Sequence, residues 1–133
     1  CDNAITLSPK VTFVNSSSNP QFYLSTISFS DVDTRTAGSS PPVSGGTGCA
    51  GKTLTLNAYG DSSATPISFA TVSNALVSVA TIGISTSSIT AAAGFTVTGV
   101  SSAAAGQASF DLGITSPAAT SGAVYKLTLQ SGN

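Results

Sequence analysis

Short runs in which apolar and polar residues alternate constrain this chain more than any other feature of its sequence. In residues 52–59, Leu54, Leu56 and Ala58 alternate with polar residues, and residues 26–30, 110–114 and 125–130 follow the same period of two. Successive side chains of a β-strand point to opposite faces of a sheet, so this pattern predicts strands that each bury one face. Weaker strand candidates cover residues 4–7, 11–14, 65–72, 76–84 and 94–100.

Segments rich in Ser, Gly, Pro, Asn or Ala separate these runs, so that a strand recurs about every ten to fifteen residues. No stretch keeps an apolar face at helical spacing. The spacing predicts an all-β fold, a jelly-roll or immunoglobulin-like sandwich of about eight antiparallel strands, in one domain spanning residues 1–133. Pro9 cannot donate to a β-ladder, so we expect it to kink or split the first strand. The nine aromatic residues are spread along the strands as core fillers are.

The composition argues against an enzyme. The chain has no histidine, no glutamate, no tryptophan and no methionine, while Ser and Thr make up about a third of it. A serine nucleophile would lack the usual base, and the lysines Lys10, Lys52 and Lys126 fall at outward or edge positions of the strand patterns. Two cysteines without histidine cannot supply a transition-metal site. We therefore expect no catalytic residues, no metal and no cofactor.

Charge is sparse, with a formal net charge of −1 and charged residues at 7% of the chain. The four cations are scattered, so nothing predicts binding to nucleic acid or to a membrane surface. No run of eighteen apolar residues predicts membrane insertion. Weak charge repulsion between copies is tolerable for a subunit that works within an assembly, and the partner that we expect is therefore a second copy of the chain.

One acidic pair, Asp31 and Asp33, would share a face at a strand end under period two. Such a pair could ligate calcium, with Thr34 adding an oxygen, or could form a polar exit from the strand. We favour the polar exit, because calcium sites usually draw on more carboxylates. Asn15 begins an N-x-[ST] glycosylation motif, which a serine-rich turn also produces by chance.

The two cysteines, Cys1 and Cys49, are an even number in a chain that starts without an initiator methionine. That start is expected of a processed, exported chain, and in an oxidising compartment the two cysteines predict a disulfide. Two alternatives are a lipidated Cys1, which would leave Cys49 unpaired, and a bond between neighbouring subunits.

Residues 26–33, Thr-Ile-Ser-Phe-Ser-Asp-Val-Asp, and residues 48–56, Gly-Cys-Ala-Gly-Lys-Thr-Leu-Thr-Leu, carry a resemblance. They resemble a pattern in small secreted surface proteins of actinobacteria, which are similar in layout to the TasA and camelysin group of fibre-forming jelly-roll domains. The resemblance covers roughly the first half of the chain. It implies a disulfide between Cys1 and Cys49, an extracellular or cell-surface location, and completion of the sheet of one subunit by the N-terminal strand of the next.

Our first hypothesis is therefore a structural subunit of an extracellular filament, pilus or biofilm-matrix fibre, a head-to-tail homopolymer held by β-strand complementation. The candidate donor strand lies within residues 1–14, and its apolar side chains are Ile5, Leu7, Val11 and Phe13. If this strand stays in its own domain, another sheet edge must carry the contact. The alternative is a monomeric module displayed on a cell surface or a phage, which binds a glycan or protein through loops 36–48 and 101–106.

Overall fold

The structure, a computed structural model, describes residues 1, 5–15, 20–36, 48–102 and 106–132. In these ranges the chain forms eleven β-strands and one short 3-10 turn, Ser121–Ala123. The strands are β1 (Thr6–Val14), β2 (Gln21–Asp33), β3 (Thr53–Tyr59), β4 (Pro66–Ile67), β5 (Ala70–Val72), β6 (Ala75–Val77), β7 (Val79–Ile84), β8 (Ile89–Ala91), β9 (Phe95–Ser102), β10 (Gln107–Ile114) and β11 (Lys126–Gly132). None of the described residues belong to a helix able to cross a membrane.

Two antiparallel sheets account for most of the strands. The first has the order β1-β2-β10-β9, and the second has the order β11-β3-β7-β8, with β4 pairing with the end of β3. Strands β5 and β6 form a separate hairpin. The all-β prediction is confirmed. The described strands exceed the predicted eight because residues 65–72 and 76–84 each divide into two strands and β8 is an additional short one.

One hydrophobic core draws its residues from both sheets. On β3, Leu54, Leu56 and Ala58 are buried while the residues between them are half-exposed, as the alternation predicts. The rings of Phe29 and Phe110, which are cross-strand partners on β2 and β10, stack with centroids 4.7 Å apart. Burial of these alternating side chains is the main force that holds the strands together.

Local backbone irregularities are confined to a few positions. Ser73 and Asn74 both have positive φ, 49° and 65°, and they join β5 to β6 as the two-residue turn of a hairpin. Asp31 also has positive φ, 64°, where the pairing of β2 with β10 shifts register.

Of the expected kink or split at Pro9, the split is wrong, since β1 runs unbroken from Thr6 to Val14. Pro9 is tolerated because β1 is an outer strand of its sheet, where a missing N–H can face solvent. The register shift comes one residue later, between Lys10 and Val11.

Candidate interaction surface

Strands β1 and β2 continue past the rest of their sheet. Strand β10 pairs with β2 only from Thr26 to Asp33, so the first part of β2 has β1 as its ladder partner. We call residues 11–14 of β1 and 21–24 of β2 the β1–β2 ribbon. A hydrogen bond from Leu24 N–H to the Ala119 carbonyl, 2.9 Å, supports the base of the ribbon. Beside it, Tyr23 forms an isolated antiparallel β-bridge with Thr120.

One face of the β1–β2 ribbon is apolar and open to solvent. The cross-strand pairs are Val11 with Leu24 and Phe13 with Phe22, and such partners share a face. Leu24 is buried, but Val11, Phe13 and Phe22 are 49%, 50% and 52% exposed. The two phenyl rings pack together with centroids 5.1 Å apart. The core-facing side of the sheet therefore continues outside the core as an exposed apolar surface.

The other face of the β1–β2 ribbon is more polar. Thr12 lies opposite Tyr23, and its hydroxyl is hydrogen-bonded at 2.6 Å to that of Ser25, just outside the ribbon; the exposed Val14 lies opposite Gln21. The face that carries Val11, Phe13 and Phe22 is therefore the more apolar side on which to meet a partner.

The four residues of the predicted donor strand do not act as one set. Strand β1 pairs with β2 of its own chain, and Leu7, Val11 and Phe13 lie on one face of it because they are separated by four and then two residues. Ile5 and Leu7 pack against the core, whereas Val11 and Phe13 belong to the exposed ribbon. The first pair anchors β1, and the second pair is available for contact.

An apolar groove adjoins the ribbon. Leu7 and Pro9 of β1 line it on one side, and Val124, Tyr125 and Leu127 line it on the other, together with Lys126; its volume is about 300 Å³. The groove therefore runs between the outer strands of the two sheets, β1 and β11.

The disulfide is confirmed: Cys1 and Cys49 of the same chain are bonded, with Cα atoms 4.9 Å apart. Cys49 is buried and its N–H donates to the Asp33 carbonyl at 2.7 Å. The nitrogen of Cys1 donates to the Ser131 hydroxyl at 2.9 Å. The bond thus ties the segment leading into β1 to the body of the sandwich, and Cys49 is not left unpaired.

Asp31 and Asp33 have separate partners. The Asp33 carboxylate is 1% exposed and accepts hydrogen bonds from the Arg35 guanidinium and backbone N–H, each at 3.0 Å. These bonds raise the pKa of the Arg35 guanidinium above its ordinary value. Asp31 accepts from the Thr6 hydroxyl at 3.4 Å, and the Thr34 hydroxyl donates to the Gly106 carbonyl. In the described part of the chain, no cluster of three or more metal-ligating side chains forms.

The two predicted binding loops lie largely outside the described residues, as do Ser16 and Ser17 of the glycosylation motif. Close to the loop ends is a depression of about 170 Å³. Hydroxyls are prominent in its lining, which consists of Thr34, Ser85, Thr86, Ser87, Ser88, Ile89, Val100 and Ala108.

The interpretation of the aromatic residues as core fillers holds for Phe29, Phe69, Phe95 and Phe110, which are buried, and is wrong for Phe13, Phe22 and Tyr125, which are exposed. The alternation of residues 11–14 predicted a strand, but exposure of its apolar face depends on where β10 stops, which only strand order reveals.

Comparison of the chain with family models, curated proteins and solved structures found no match.

Proposed function

We propose that this protein is a structural subunit of an extracellular filament, pilus or matrix fibre, and that copies associate through the β1–β2 ribbon and through sheet edges. The observation that carries the proposal is the apolar face of the ribbon. Val11, Phe13 and Phe22 are each about half exposed on one side of the paired strands β1 and β2. Exposed apolar surface of this kind, concentrated on one element, is typical of a contact site.

The charge of the chain supports the same proposal. Four cations and five aspartates, with a net charge of −1, give copies little electrostatic reason to stay apart. Apolar burial can then drive association at roughly 25 cal/mol for each Å² removed from water. The Cys1–Cys49 disulfide supports a location outside the cytosol, where such bonds persist.

We favour association in which β1 remains in its own sheet. Strand β1 is paired with β2 at nine positions, and Cys1, which precedes this strand in the chain, is bonded to Cys49. Exchange of β1 between subunits would have to break all of those pairs before it formed new ones. The apolar face of the ribbon, which is already exposed, offers a contact without that cost.

Electron microscopy of the purified protein tests the proposal, with the variant Phe22→Ser compared with Leu76→Ser. Leu76, on β6, is 67% exposed and lies on a different hairpin, so it is a matched control for loss of one exposed apolar side chain. We expect filaments from the wild type and from Leu76→Ser, and dispersed particles from Phe22→Ser. Dispersed wild-type particles at millimolar concentration would count against the proposal.

A second candidate function is a displayed module that binds a glycan or a protein. The hydroxyl-lined depression near Thr34 and Ser88 favours it, because arrays of hydroxyl donors and acceptors suit polar ligands. This function predicts a wild type that stays monomeric and binds glycans on an array, with binding lost in Ser88→Val. Filaments without any glycan binding would eliminate it.

A further inference from the structure

The two sheets expose four outer strands in the described part of the chain, and three of them are poor templates for another strand. Strand β1 carries Pro9 and Lys10, the residue types that obstruct edge pairing. The pairing of β9 with β10 shifts register near Gly99, which has a φ of 62°. Strand β8 is three residues long. A short, broken or proline-bearing edge resists strand addition.

Strand β11 is neither short nor broken, although a lysine stands at its first position and the Ser131 hydroxyl near its end accepts a hydrogen bond from the Cys1 nitrogen at 2.9 Å. Its seven residues, Lys126 to Gly132, pair one for one with Tyr59 to Thr53 of β3 and show no register shift. It contains no proline, and Lys126 is its one charged residue. At about 3.3 Å per residue, it offers an edge roughly 23 Å long on which backbone N–H and C=O groups alternate toward the side away from β3.

The apolar groove lies beside this edge. Its lining includes Leu127 of β11 and Leu7 and Pro9 of β1. A strand added to β11 would direct every second side chain toward the groove and the others toward solvent. The opposite side of the sandwich differs, because β8 and β9 contact each other there. Backbone groups for pairing and an apolar groove for alternate side chains together form the arrangement that strand addition requires.

We propose that β11 pairs antiparallel with β11 of a second copy around a twofold axis at Leu129, which makes the second sheet continuous across a dimer. In this register Thr128 lies opposite the partner's Gln130, and Lys126 lies opposite the partner's Gly132. The two Lys126 side chains are then at opposite ends of the strand pair, so like charges do not meet. Leu127 and Leu129 of both copies lie on the groove side, where they are half-buried in the single chain.

A second copy of the chain is the partner that best fits the outer edge of β11. Six of its seven residues are uncharged, and a twofold antiparallel pair matches apolar positions with apolar or small ones along its inner face. A strand pair alone buries less than the roughly 800 Å² per partner of a stable interface, so the dimer is weak and depends on concentration. This contact rests on the proposed association of copies and specifies one of its sheet edges, but it uses a different surface from the β1–β2 ribbon and can form without it. Where both form, the two contacts generate an open array.

Cysteine cross-linking tests the register. We expect Leu129→Cys to give a covalent dimer on non-reducing electrophoresis after mild oxidation, because residue 129 meets its own symmetry mate at cross-strand distance. Leu127→Cys is the matched control. Its symmetry mate is four residues away along the partner strand, so it should stay monomeric under the same conditions. Equal cross-linking of both variants, or of neither, would overturn the proposed pairing.

Sedimentation equilibrium of charge variants provides an independent measurement. Thr128→Lys with Gln130→Lys places like charges opposite each other and should raise the dimer dissociation constant about tenfold. Thr128→Lys with Gln130→Asp gives two opposite-charge pairs and should keep the constant within about threefold of the wild type. Thr90→Lys, on the other outer strand of the same sheet, should leave it unchanged. If none of these variants altered the dimer dissociation constant, the proposal would also be overturned.

The same measurement on Phe22→Ser separates the two contacts. If the ribbon carries filament formation, this variant makes no filaments yet still dimerises and still cross-links through Leu129→Cys. Loss of dimerisation in Phe22→Ser would show that the ribbon carries both contacts and that the β11 pairing is wrong.

Discussion

At the scale of single residues, two phenylalanines of β2 have the same chemistry and opposite environments. Phe29 is 1% exposed and stacks on Phe110, whereas Phe22 is about half exposed and packs on Phe13. Removal of a buried side chain forfeits the full free energy of its transfer out of water and leaves a cavity. Removal of a half-exposed side chain forfeits only part of that free energy and leaves no enclosed cavity. The same residue type therefore serves stability at one position and contact at the other.

We expect Phe29→Ala to lower the free energy of unfolding by about 3–5 kcal/mol and Phe22→Ala to lower it by less than about 1 kcal/mol. Urea denaturation followed by tyrosine fluorescence or circular dichroism measures both, at a protein concentration low enough to keep the chain monomeric. Similar costs for the two substitutions would mean that the ribbon is part of the core.

The buried Asp33 carboxylate makes a second residue-scale prediction. Both Asp33 oxygens accept from the Arg35 guanidinium, and Asp33→Asn removes the negative charge and replaces one of these oxygens by an NH2 donor, so we expect it to lower Tm more than Asp31→Asn does. Thermal unfolding followed by circular dichroism gives the comparison. An equal effect of the two substitutions would contradict a stabilising role for the pair.

The pH dependence of the Tm difference between wild type and Asp33→Asn follows from the pKa of Arg35, which the Asp33 carboxylate raises. A cation with a raised pKa contributes stability at all pH values below its ordinary pKa and loses it only as the pH rises through the folded-state value. The ordinary pKa of arginine already lies far above neutrality. The Tm difference between wild type and Asp33→Asn should therefore stay constant from roughly pH 7 to 10.

At the scale of elements, the sequence pattern predicted strands well where one face is buried. Strand β3 follows the predicted alternation from Thr53 to Tyr59. Prediction was poorer for β4, β5, β6 and β8, because strands of two or three residues carry too little pattern to be told from turns. The ribbon and the outer edge of β11 depend on which strands are neighbours, and no local pattern contains that information. The candidate contact surfaces therefore required the structure, although their apolar residues were evident in the sequence.

The Cys1–Cys49 disulfide tethers the segment that precedes β1. The disulfide closes a sequence separation of 48 residues, and removal of such a link costs about 2–4 kcal/mol through the entropy of the unfolded chain. We expect the double variant Cys1→Ser, Cys49→Ala to lose about that much stability in urea. Amide exchange should also rise in β1 more than in β3. Chemical reduction of the wild type is the matching control, and unchanged exchange in β1 would show that its pairing with β2 suffices.

At the scale of the whole molecule, the distribution of charge decides how association responds to solvent. The net charge is −1, the ribbon face is apolar, and β11 carries one lysine. Screening of charges by salt therefore has little to weaken in either contact. Apolar burial instead strengthens with sulfate, which is excluded from protein surfaces, and weakens on cooling.

We accordingly expect filament mass, measured by light scattering and pelleting, to be unchanged by sodium chloride between about 0.1 and 1 M. It should rise with ammonium sulfate and fall reversibly when the sample is cooled from room temperature to near 0 °C, because the contribution of apolar contacts shrinks on cooling. The variant Phe22→Ser, which lacks half of the ring pair on the ribbon, should show neither response. Filaments that dissolve in 1 M sodium chloride would mean that ion pairs hold the copies together, and the apolar ribbon would then not be the contact.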